Sequence, residues 1–138
     1  MNITPLKQTR DFNCGQTCVA MLTGKTIAEV EQVYGHGHET YPSEHIKAVT
    51  ALGCYADERG FVDYEDGMAL PEVALVRIGY RKRNPKTGGY SKSKTKRLGH
   101  LVVWANGQFY NPSNAQTIPF DGLSAGVKID RFLAVLVP

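Results

Sequence analysis

Apolar positions recur at helical spacing in the early part of the chain and alternate in the later part. That change of period predicts helices first and strands afterwards. Cys14 to Leu22 is apolar enough for a buried helix, with Asn13 as its N-cap and Gly24 as its end. Thr26-Ile27-Ala28-Glu29 has the spacing of a capping box, so a second helix runs to about Tyr34, with Ile27, Val30 and Tyr34 on one face. Gly35 to His38 is loop. Ser43 is placed to cap a third helix, with Ile46, Val49 and Leu52 on its inner face and Gly53 closing it.

Beyond residue 72 the pattern is that of strands. Val73 to Arg81 alternates and is rich in Val, Ile and Tyr, and Leu101 to Ala105 is a second strand. Asn106-Gly107 is a two-residue hairpin turn, because both positions tolerate positive φ, and Gln108 to Asn111 returns from it. Arg131 to Val137 is a last apolar strand. The expected fold is α+β, N-terminal helices packed on a C-terminal antiparallel sheet.

A length of 138 residues suits one compact domain, and an apolar content of 42% is enough to fill its core. No apolar run approaches a transmembrane helix, and Met1 to Lys7 lacks the layout of a signal peptide, so a cytoplasmic protein is expected. Three cysteines (Cys14, Cys18 and Cys54) are too few and too odd for a disulfide framework, and Cys14-x-x-x-Cys18 is no zinc or redox spacing. His36, His38, Glu39 and His45 also match no standard metal pattern. They read as a polar loop at the border of a substrate cleft, with no metal or cofactor.

The candidate chemistry is that of a thiol. A cysteine at a helix N-terminus meets the positive end of the helix dipole, which favours the thiolate, and an imidazolium nearby favours it further. Cys14 opens the first predicted helix. Gly15 beside it would let a substrate carbonyl approach the backbone. The Cys14 N–H and the Gln8 side chain are candidate oxyanion donors. The hairpin supplies a base: its register pairs Ala105 with Gln108 and Val102 with Asn111, and on extension His100 with Ser113. His100, Val102 and Asn111 then share one face, with His100 and Asn111 as diagonal neighbours within side-chain reach. Asn111 is thereby placed to hold one tautomer of the His100 ring.

These motifs, Gln8-x5-Cys14-Gly15-x2-Cys18-x2-Met21-Leu22, then Gly99-His100-Leu101-Val102-Val103, then Tyr110-Asn111-Pro112, resemble in order those of the papain-like double-glycine leader peptidases. The resemblance implies a papain-like fold and a cysteine peptidase, with Cys14 the nucleophile, Gln8 the oxyanion amide, His100 the general base and Asn111 the orienting residue. That family usually has Asp-Pro where this chain has Asn111-Pro112, and Asn serves the same purpose in papain.

Charge separates along the chain. Eleven of thirteen acids lie at or before Glu72, whereas eight of sixteen Lys and Arg residues lie in 81–97. That segment reads as a basic hairpin insertion ending close to His100. Arg81, Lys92, Lys94, Lys96 and Arg97 are its candidate contacts to an acidic peptide or protein substrate or partner. Only Tyr80 and Tyr90 are aromatic there, which argues against a stacking platform for single-stranded nucleic acid. The rival expectation to a peptidase is a catalytically weak binding module that engages an acidic partner through this segment.

Overall fold

The structure, a computed structural model, describes residues 1–80, 86–87, 99–124 and 126–138. It is α+β. Helices α1 (Cys14–Thr23), α2 (Ile27–Tyr34) and α3 (Pro42–Ala51) come first, followed by strands β1 (Tyr55–Ala56), β2 (Val62–Asp63), β3 (Ala74–Tyr80), β4 (Gly99–Ala105), β5 (Gln108–Asn111), β6 (Gln116–Pro119) and β7 (Val127–Leu136). Among the described residues the strands form one antiparallel sheet in the order β1-β7-β3-β4-β5-β6, with β2 also paired to β7. None of the described helices is long and apolar enough to cross a membrane.

Strand alternation divides the core. Leu75, Leu101, Val103, Leu133 and Val135 face the helices and pack with Cys18, Val19, Leu22 and Val30. Ala74, Val76, Val102, Phe109 and Phe132 form the cluster on the other side. Val19, Leu22, Leu75 and Leu133 are fully buried, and each such side chain contributes roughly 1.5–3 kcal/mol. This packing seats α1 on β4 and so fixes where the two predicted catalytic motifs meet.

The hairpin forms in the expected register, with Ala105 opposite Gln108 and Val103 opposite Tyr110. Asn106 (φ 54°) and Gly107 (φ 73°) both adopt the left-handed conformation that a tight hairpin of this hand requires. Helix α2 is capped by the Thr26 hydroxyl, which accepts from the Glu29 N–H as predicted.

One helix start and one helix cap differ from expectation. Helix α3 begins at Pro42 with Tyr41 as its N-cap, not at Ser43. Proline lacks the N–H that a first-turn position leaves unpaired, and Glu44 reaches back to accept from the Tyr41 N–H at 2.9 Å. Asn13 sits at the N-cap of α1, but its side chain makes no cap. Fully buried, it closes the preceding turn instead: Oδ1 accepts from the Arg10 N–H at 3.1 Å, and Nδ2 donates to Thr9 at 2.9 Å and Glu31 at 3.3 Å.

Strand β7 starts at Val127, earlier than the apolar pattern indicated. A bulge puts Asp130 between the pairs Arg77–Arg131 and Ile78–Ile129. Asp130 is buried there against the Arg77 guanidinium at 2.6 Å.

Candidate active site

Three pieces of chain converge at the N-terminal end of α1. The Cys18 thiol donates to the Leu101 carbonyl at 3.2 Å, which anchors α1 over the start of β4. Cys14 lies one turn earlier on the same helical face, and that turn brings it to His100, the neighbour of Leu101. The two side chains are close enough for each to shift the other's proton affinity. The segment carrying Gln8 is held alongside by the Gln8 N–H, which donates to the Pro112 carbonyl at 2.7 Å, directly after Asn111.

His100 Nε2 lies 3.0 Å from Asn111 Oδ1 and 3.0 Å from Ser113 Oγ. The Ser113 backbone N–H donates to the same Asn111 Oδ1 at 3.0 Å. A backbone N–H can only donate, so the oxygen end of the Asn111 amide must face this corner. An acceptor at 3.0 Å then requires the proton on Nε2, which leaves Nδ1 as the ring atom able to take a proton from Cys14. Backbone geometry in one turn thus sets the tautomer of the His100 ring.

Burial alone would push the Cys14 thiol up. The hydrogen bond with His100, a backbone hydrogen bond from Leu101, the charge on His100 and the Gly15 backbone outweigh it, and the thiol lies below its ordinary value. Burial likewise pulls the His100 imidazole down, but its hydrogen bond and charge interaction with Cys14, together with Asn111, raise it overall. Both shifts favour a thiolate–imidazolium pair. The other thiols go the opposite way: burial and the nearby Cys14 charge push Cys18 well up, and burial raises Cys54.

Two sequence assignments look different in place. Gly15 is buried, and the space a Cβ would fill is taken by His45 Cε1 and Thr40 Oγ1. Glycine is required there for close packing, because any side chain would collide with His45 and Thr40. Gln8 Nε2 donates to the carbonyls of Arg10 at 2.8 Å and Asp11 at 3.1 Å, while its Oε1 is buried without a partner among the described residues. Both of its N–H groups therefore brace the loop before Cys14, and oxyanion binding requires one of them to be released. The substrate contacts assigned to Arg81, Lys92, Lys94, Lys96 and Arg97, and the hairpin proposed for 81–97, lie outside the described residues.

Sequence reasoning missed the support behind Cys14. The Glu31 carboxylate joins α2 to the loop before Cys14 by accepting from Asn13 and pairing with Arg10 at 3.1 Å. Gln16, fully buried, donates to the His36 and His38 carbonyls and ties their loop to α1. His45 is buried against Gly15, with Tyr34 Oη 2.6 Å from Nδ1 and Thr40 Oγ1 2.9 Å from Nε2. The position of His45 at helical spacing from Ala48, Val49 and Leu52 marks it as inward-facing; nothing in its sequence context identifies these partners.

A neutral imidazole satisfies both hydroxyls, one ring nitrogen donating and the other accepting. Burial, only partly opposed by the Glu44 charge, holds His45 down at about 4. The unfolded chain protonates this group near 6.5 and the folded chain only near 4. The unfolded state therefore binds more protons between those values, and stability falls as pH drops through that window and levels off below it. The loss is on the order of 3 kcal/mol. Urea denaturation at pH 7 and pH 4.5 should show it as a lower midpoint at pH 4.5. His45→Gln should reduce that pH dependence, and an unchanged slope in the variant would exclude His45 as its source.

A separate open groove of about 780 Å³, lined by residues including Leu22, Tyr55, Glu72 and Leu136, contains none of Gln8, Cys14, His100 and Asn111. Neither a family model nor a curated protein matches the chain.

Proposed function

We propose that this chain is a papain-like cysteine hydrolase, most akin to the double-glycine leader peptidases, and that a peptide bond is what it cuts. The observation that carries the reading is the placement of Cys14 beside His100, whose Nε2 is held 3.0 Å from the Asn111 amide oxygen. His100 Nδ1 takes the Cys14 proton and the thiolate attacks the substrate carbonyl carbon. The oxyanion is held by the Cys14 N–H and by a Gln8 N–H turned from its loop carbonyl. Collapse breaks the C–N bond, and His100 returns the proton to the departing amine. Water, deprotonated by His100, then cleaves the thioester and restores the thiol.

Three free cysteines support action in a reducing compartment such as the cytoplasm. The basic 81–97 segment supports an acidic peptide or protein as the substrate.

Labelling with an electrophilic peptide probe at neutral pH tests the reading. Cys14 should be modified well ahead of Cys18 and Cys54, and Cys14→Ala should abolish the labelling. Equal modification of all three thiols would sink the proposal. Mass spectrometry of cellular proteins incubated with wild type or Cys14→Ala would then identify the substrate.

One observation favours a second reading. The engagement of both Gln8 amide N–H groups by Arg10 and Asp11 suits a catalytically weak binding module. In that case charge reversal of Lys92, Lys94 and Lys96 would abolish capture of an acidic protein, while Cys14→Ala would leave capture intact.

A further inference from the structure

We propose that Ser113 is a positioning residue of this site, its hydroxyl sharing with Asn111 the task of holding His100 Nε2–H and favouring the charged ring. The proposal rests on the thiol-hydrolase reading and adds a residue to it.

Ser113 has a well-defined place. The Asn111 carbonyl accepts from the N–H groups of Asn114 at 3.4 Å and Ala115 at 2.9 Å, and Asn114 Oδ1 accepts from the Gln116 N–H at 3.0 Å. Pro112 is buried, and Ala115 takes φ 58° to turn the chain into β6. Ser113 therefore sits in a turn braced on both sides. Its N–H is spent on Asn111 Oδ1, and its hydroxyl lies 3.0 Å from His100 Nε2.

The chemistry of the corner decides what that hydroxyl does. Asn111 Oδ1 can only accept, so Nε2 carries the hydrogen. Ser113 Oγ, equally close, then accepts from the same N–H and points its own proton elsewhere. Two oxygens share one N–H. Both place negative density against the ring edge, and both stabilise the imidazolium more than the neutral ring. A neutral amide is a weaker partner for an imidazolium than a carboxylate is. The serine oxygen supplies part of what the amide lacks. A residue needed only for the turn would have no reason to place its hydroxyl on Nε2, because the turn is held by backbone groups and by Asn114.

The test reads Cys14 itself and needs no substrate. Iodoacetamide alkylation of Cys14, followed by mass spectrometry across pH 4 to 9, is compared in wild type, Ser113→Ala and Ser113→Thr. Ser113→Ala keeps the backbone N–H, so Asn111 stays oriented while one acceptor is lost. The thiolate–imidazolium pair should weaken, moving the Cys14 midpoint to higher pH and slowing alkylation about three- to tenfold on the acid side. Ser113→Thr, which keeps the hydroxyl, should restore the wild-type profile. If wild-type Cys14 is activated and Ser113→Ala leaves its profile unchanged, this proposal alone is wrong. A wild-type Cys14 that titrates like an ordinary thiol overturns the hydrolase reading and this one with it.

Discussion

His100→Ala should lower turnover by roughly 10⁴-fold while leaving the fold intact. His100 is half-buried at the start of β4, and the strand it opens is held by its ladder to β3. In the proposed mechanism its ring serves two steps, accepting the thiol proton and donating it to the leaving group, so both are lost together. The thiol also changes character. Burial already pushes Cys14 up, and His100 is the largest of the groups that outweigh it. Without the ring, the Leu101 and Gly15 backbone contacts remain as the support for a thiolate. Cys14 alkylation at neutral pH should therefore slow together with turnover, and its pH midpoint should rise. In wild type turnover should rise on the acid side as the ion pair forms and fall on the alkaline side as His100 loses the proton it gives the leaving group, whereas alkylation, which needs only the thiolate, should rise and level off. In His100→Ala the alkaline fall should vanish. A variant that keeps wild-type alkylation kinetics would show that the ring and the thiol do not interact in solution.

The parts of this site that sequence could reach are those fixed by short-range geometry. Asn106-Gly107 admits one tight turn, that turn dictates the register of β4 against β5, and the register puts Asn111 and Ser113 beside His100. The apolar stretch after Cys14 likewise had to be a buried helix, so the thiol had to lie at a helix start. Features set by distant groups were out of reach. Asn13 has the composition of an N-cap, yet Glu31 on α2 and Thr9 claim its side chain. Gly15 carries a packing demand that its sequence context does not reveal, since His45 from α3 occupies the space a side chain would take. Asp130 hid the early part of β7, since a buried charge breaks an apolar pattern unless its partner Arg77 is known. Strands β1 and β2 span two residues each, too short for any alternation to register.

Gln8 carries the other large expected effect, and its observed place pulls against its proposed role. In place its carboxamide braces the loop through the Arg10 and Asp11 carbonyls. Turning one N–H toward a forming oxyanion gives up one of these neutral hydrogen bonds, worth about 1 kcal/mol. The new bond is to a developing charge, worth about 3–4 kcal/mol. The exchange is favourable only in the transition state, which is where a catalytic contact should be realised. Gln8→Ala should accordingly lower kcat about 10²- to 10³-fold with little change in KM. Gln8→Glu should be at least as damaging, because a carboxylate cannot donate and repels the oxyanion. Alkylation by iodoacetamide is a direct displacement that forms no oxyanion. Cys14 labelling should therefore proceed at the wild-type rate in Gln8→Ala while hydrolysis fails. If labelling and hydrolysis decline in equal proportion, or if the variant merely melts earlier with kcat unchanged, Gln8 is a brace for the loop before Cys14 and the second oxyanion donor must come from elsewhere.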